Sequence, residues 1–206
     1  MKIDQKDLDE ISAQLPKENV YLKFVYDAMK KEVDKIQIEM IQEFEQHPIS
    51  KEIDGGITAY NISETLNGIT NLYSFIGFNS GDRPLEPIKQ ELQKIKLRYN
   101  IASRGEITFT IDFPTAKDIF RVTPLPWATG RSWAQGIETG ISGLGYYIKQ
   151  KENSRSGLGV QSQKQIRSGA RFKNTKYISE LINKYNKKIL DLSKNTILWF
   201  QHFHTT

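Results

Sequence analysis

The stretch 19-NVYLKFVYDAMKKEVDKIQIEMIQEFEQ-46 decides the fold. Its apolar residues Leu22, Val25, Met29, Val33, Ile36, Met40 and Phe44 recur every three or four positions, which is the period of one face of a long amphipathic helix. Pro16 lies just ahead of this run and Pro48 just behind it. Proline lacks an amide donor and opposes further helix, so both boundaries are set close to those positions. His47 then closes the helix, where a cationic imidazole is expected to favour the negative end of the helix dipole. The shorter charged segment from Gln5 to Gln14 reads as a separate helix or as an N-terminal extension.

Downstream the pattern changes. Between Glu106 and Phe113, Ile107, Phe109, Ile111 and Phe113 alternate with Thr108, Thr110 and Asp112, which sets four large apolar side chains on one face of a strand. Such a strand belongs half buried in an antiparallel sheet. The short aromatic run Leu72 to Phe78 predicts a buried strand, and Ile88, Leu92, Ile95 and Tyr99 repeat at helical spacing over Leu85 to Tyr99. Thr115 to Phe120 predicts one helical turn, followed by an irregular segment with Gly130, Gly136, Gly140, Gly143 and Gly145. Ile178, Leu181, Ile182, Tyr185, Ile189 and Leu192 predict a last helix over Tyr177 to Leu192, capped by Asn174 or Thr175. The fold class is therefore α+β: a long N-terminal helix and shorter helices packed on an antiparallel sheet. The expected organisation is an N-terminal extension over 1–16, one domain over 17–192, and an aromatic tail over 193–206.

Composition narrows the chemistry. A chain of 206 residues is long enough to bury a core without a metal or disulfides, and the absence of cysteine excludes thiolate ligands and a Cys nucleophile. The N-terminus MKIDQKDLDEI is charged from its second residue, and no apolar run approaches the ~20 residues that span a bilayer. A chain without membrane contact, of cytoplasmic origin, is expected. His202 and His204 form a pair near the chain end, but no third ligand accompanies them, so no metal site is assigned. Ser154, Ser156, Ser162 and Ser168 lack a signalled base and oxyanion hole, and the glycines form neither a phosphate loop nor a dinucleotide fingerprint. Glu39, Glu43 and Glu45 read as the solvated face of their helix. No catalytic residue and no cofactor are assigned.

What remains is a basic stretch. The net charge is +5, and acids and bases nearly balance over the first hundred residues. Lys149, Lys151, Arg155, Lys164, Arg167, Arg171, Lys173 and Lys176 face a single acid, Glu152, in a polar segment dotted with glycine. Such a segment predicts an arm that meets an electrostatic partner, either a neighbouring protein or the phosphates of double-stranded DNA. Lys164, Arg167, Arg171 and Lys173 are its candidate contact residues. Only Phe172 and Tyr177 are aromatic nearby, so stacking on single-stranded bases is weakly encoded. Trp127 and Trp133, with Trp199 and Phe200 of the terminal ILWFQHFHTT, are the candidate interface aromatics.

The order of elements resembles that of the tail-completion and head–tail joining proteins of tailed bacteriophages. Ser63-Glu64-Thr65-Leu66-Asn67-Gly68 ahead of Leu72 to Phe78 stands where that family introduces its first strand, with Glu64 and Asn67 interrupting its Thr-Gly-Leu sequence. Ile137-Glu138-Thr139-Gly140 resembles the family's glutamate-containing strand that ends in glycine. Gln150 to Ala170 is similar to its variable loop, and Arg171-Phe172-Lys173 to the lead-in of its C-terminal helix. The resemblance implies a non-enzymatic virion protein that forms a homo-oligomeric ring at the neck or tail top, is made in the host cytoplasm, and meets connector, neck or tail proteins. The remaining expectation, from the charge alone, is a nucleic-acid-binding module that uses residues 149–176.

Overall fold

The computed structural model describes residues 19–66, 70–101, 107–139 and 175–202, with the side chains of 19 and 193–202 outside the description. The architecture is α+β, with a long helix, several shorter ones and two small antiparallel sheets. Helix α1 spans Asn19–Gln46, as the periodicity requires, and its 28 residues cover about 42 Å at 1.5 Å per residue. Pro48 does not end helical structure. It occupies the first turn of α2, Pro48–Asp54, where its missing amide has no partner to lose. A 3-10 turn, Gly56–Thr58, follows, then α3 (Leu72–Ile76), α4 (Glu86–Leu92), β1 (Lys96–Ile101), β2 (Ile107–Asp112), α5 (Ala116–Arg121), β3 (Pro124–Leu125), β4 (Ala128–Ser132), α6 (Trp133–Thr139) and α7 (Ile178–His202).

Four expectations are corrected. Leu72 to Phe78 is helical at Leu72–Ile76, because the Asn71 side chain accepts from the Ser74 amide and Gly77, at φ 88°, closes the other end in the left-handed region. The helix expected over Leu85 to Tyr99 stops at Leu92, and Lys96–Ile101 is a strand paired residue by residue with β2, from Lys96 opposite Asp112 to Ile101 opposite Ile107. Cross-strand pairing overrides the helical spacing there. His47 caps α2 instead of α1: its Nδ1 accepts from the Ile49 amide at 3.2 Å. Burial lowers its pKa against the pull of Glu180 and Glu43, so the expected imidazolium is disfavoured. The terminal helix begins at Ile178 but runs on to His202, through part of the expected tail. Of its two expected caps, Asn174 lies outside the described residues. The strand at Ile107–Asp112 and the turn at Ala116–Arg121 are where the sequence puts them; the latter carries a Thr115–Asp118 capping box.

The chain divides into two compact units. One comprises residues 1–39, 94–113 and 185–206. Its described core takes Leu22, Val25, Met29 and Val33 of α1 with Tyr185 and Ile189 of α7, and Tyr26 meets Tyr99 of β1 edge to face at 5.7 Å. Lys188 pairs with Glu39 at 2.9 Å within it. The other unit comprises residues 40–93 and 114–184. Met40, Phe44, Ile49, Ile53, Leu72, Ile76, Ile88, Leu92, Ile119, Trp133, Ile137 and Ile178 are enclosed there. Each such side chain contributes about 1.5–3 kcal/mol on burial, which is why the apolar faces of these short helices, unstable alone, hold together.

Candidate interaction surface

Residues 59–66 of the second unit are pinned from below and presented outward. The pin is Glu52, on α2, whose side chain is fully buried. One carboxylate oxygen accepts from the Leu72 amide at 2.7 Å, and the other from the Ser63 amide at 2.8 Å. Two charge-assisted hydrogen bonds offset the desolvation that an enclosed carboxylate otherwise suffers. Asn71 supplies a second tie. Its Oδ1 caps α3 through Ser74, while its Nδ2 donates to the carbonyls of Ile57 and Ala59, both at 2.8 Å. The 3-10 turn and α3 are thereby fixed to the two ends of one loop. Ser63 and Thr65 add a hydroxyl pair at 2.8 Å.

Alternation along this loop separates two sets of side chains. Asn61, Ser63 and Thr65 turn inward, whereas Tyr60 is 87% exposed and Ile62 50%. Glu64 sits at φ 56°, a left-handed conformation that a side chain bearing Cβ adopts at a cost of about 1–2 kcal/mol. Both polar atoms of the Asn61 amide are enclosed without a hydrogen-bond partner among the described residues. The loop is held at some cost, and it shows an aromatic and a branched aliphatic side chain to solvent.

A cleft of about 620 Å³ shares the 3-10 turn with this loop. Ile53, Asp54 and Gly56–Thr58 form one wall, and Tyr73 with residues 80–86 forms the other. The Tyr73 hydroxyl donates to the carbonyls of Asn79 and Asp82, and burial raises its pKa, so it stays a neutral donor. Asp54, Asp82 and Glu86 outnumber Arg83 around the cleft. Glu86 bonds Lys89 at 2.9 Å, which lowers its pKa and holds it ionised. The lining suits a cationic side chain on a partner more than an anion. Among the described residues, no three of His, Cys, Asp and Glu group as metal ligands do, and no described helix is long and apolar enough to cross a membrane.

The residues singled out from sequence fall differently. Lys164, Arg167, Arg171 and Lys173 lie outside the described residues, as do the side chains of Trp199 and Phe200 on α7. Trp133 is 1% exposed and meets Phe78 edge to face at 5.8 Å, so it belongs to the core and is withdrawn from the interface set. Trp127 is half-buried and donates its indole N–H to the Ile76 carbonyl at 2.8 Å. Glu138 is on α6, not on a strand; its carboxylate accepts from the Ser179 amide in the first turn of α7 at 2.7 Å. Tyr60, Ile62 and Glu52 escaped the reading from sequence. The signal for the first two was the short outward alternation Tyr60, Ile62, Glu64, and for the pin nothing local, since its partners are 11 and 20 residues away. No family model, no curated protein and no solved structure matches the chain.

Proposed function

We propose that the chain is a non-enzymatic virion protein of a tailed bacteriophage, which forms a homo-oligomeric ring at the neck or tail top and docks on connector, neck or tail proteins. The observation that carries the docking role is the pinned loop with Tyr60 and Ile62 outward. Tyrosine supplies large contact area at small entropic cost, and a loop already fixed loses little freedom when a partner covers it. The element order that resembles the head–tail joining family supplies the place in the virion, although its two expected strands, at Leu72 and Ile137, are helices here. The basic stretch 149–176 supplies a second contact, to a neighbouring subunit or to DNA in the lumen.

The test is electron microscopy of purified particles and of the isolated protein, with Tyr60→Asp and Ile62→Asp compared with the parent. A ring or an assembly-dependent complex is expected, with incorporation lost in both variants while their melting curves stay unchanged. Particles that lack the protein overturn the virion reading. Normal incorporation of both variants overturns the role of the loop. The competing nucleic-acid reading rests on the charge of residues 149–176. It predicts DNA retention that falls steeply with salt and disappears when Lys164, Arg167, Arg171 and Lys173 are neutralised, with assembly unaffected.

A further inference from the structure

The face of α1 opposite the core carries an order of its own. At 100° per residue, Val20, Phe24, Asp27, Lys31, Lys35 and Ile38 fall within one sector, turned away from Leu22, Val25, Met29 and Val33. All six are exposed, Val20 at 79%, Phe24 at 73% and Ile38 at 56%. A solvated helix face is normally polar throughout; this one has an apolar group near each end and charges between them.

We propose that this face pairs with the same face of a second copy, antiparallel, about a two-fold axis at Lys31. The charges distinguish this register from the parallel one. With Lys31 at the centre, each residue stands level with the one as far on the other side: Phe24 with the partner's Ile38, and Asp27 with the partner's Lys35. Each relation occurs twice by symmetry, as an isologous contact demands. A parallel, in-register pair sets Asp27, Lys31 and Lys35 each against its own copy, three like-charge contacts, whereas the antiparallel register has one, Lys31 against the partner's Lys31 at the axis, set against the two Asp27–Lys35 attractions. Charged residues flanking an apolar seam set orientation in this way when helices pair. The contacting stretch, from Phe24 to Ile38, is about 21 Å long, enough for four turns of side chains to interdigitate. This pairing stands independently of the ring. A two-fold contact closes on two copies, whereas a ring is closed by a different, head-to-tail contact.

Sedimentation equilibrium of the full chain tests it. A dimer is expected for the parent. Phe24→Glu should abolish it at the highest concentration reached, and Asp27→Lys or Lys35→Asp alone should weaken it at least about tenfold, since two opposed pairs become like-charged. The double variant Asp27→Lys with Lys35→Asp should return the dissociation constant to within about threefold of the parent, because only the antiparallel register exchanges these charges with one another. Circular dichroism of every variant checks that the helices persist; these are surface positions, and melting should shift little. A monomeric parent, a dimer indifferent to Phe24→Glu, or a double variant no better than either single one overturns the proposal.

Discussion

Ser50 and Tyr177, 127 residues apart in the chain, share a hydroxyl hydrogen bond of 2.5 Å inside the second unit. Both are enclosed, and the Tyr177 ring stacks on Phe44 at 5.9 Å and meets His47 at 4.8 Å. Burial raises the tyrosine pKa well above its usual range, which keeps the phenol neutral. Tyr177→Phe leaves the Ser50 hydroxyl enclosed and alone, and should cost about 1–3 kcal/mol in urea unfolding. Adding Ser50→Ala should recover part of that loss. The recovery, read from the double-mutant cycle, measures the pair itself.

Glu52→Gln tests the pin of the loop. The amide keeps one acceptor oxygen but turns an NH2 group toward the second backbone amide, so either Ser63 or Leu72 faces a donor. A loss of about 2–3 kcal/mol is expected by urea unfolding. Hydrogen exchange should accelerate at the Ser63 and Leu72 amides more than at those in the centre of α1.

His47 gives the fold a pH dependence of definite sign. Its folded pKa lies below the ordinary value of 6.5, so between the two values the unfolded chain binds the extra proton. The stability contributed by the neutral imidazole is present above about pH 6.5. It falls as pH drops below the unfolded value and levels off once the folded value is passed. His47→Asn keeps a side-chain acceptor for the Ile49 amide and does not titrate. Urea unfolding between pH 5 and 8 should show a shallower slope for the variant; an unchanged slope would assign the pH dependence elsewhere.

Two glycines separate backbone strain from crowding. Gly77 and Gly81 have nearly the same φ, 88° and 89°, but a Cβ at Gly77 comes within 3.2 Å of Trp127 Cδ1, whereas at Gly81 it meets nothing within 4 Å. Gly81→Ala should cost about 1 kcal/mol, from the left-handed backbone alone. Gly77→Ala should cost more, by the amount needed to displace the indole, and thermal melts of the two variants give the difference.

Asn19–Gln46, Ile107–Asp112 and the capped turn Ala116–Arg121 were legible in the sequence, whereas Leu72–Ile76 and Lys96–Ile101 were not. Asn19–Gln46 announces itself through seven apolar residues on one face, and Ile107–Asp112 through strict alternation, because in both the pattern is long enough to repeat. Leu72–Ile76 is five residues long, too short for any period to show; what fixes it is punctuation, Asn71 before and Gly77 after. Lys96–Ile101 becomes a strand because β2 pairs with it, a relation between segments that no local window contains. The outward loop over 59–66 was missed for the same reason. Tyr60 and Ile62 are visible in the sequence, but the groups that hold them outward, Glu52 and Asn71, are remote from both. The basic stretch read from the sequence lies mostly outside the described residues.

The hydrogen bond from the Trp127 indole to the Ile76 carbonyl gives the protein an optical handle of its own. Trp133 is enclosed, while Trp127, half in solvent, donates to a carbonyl at the end of a five-residue helix. In a Trp199→Phe background, unwinding of that helix should redden the emission of the remaining indoles, Trp127 through its lost hydrogen bond and Trp133 through Phe78. The state of that helix could then be followed in solution without a label, as a change in colour rather than in mass.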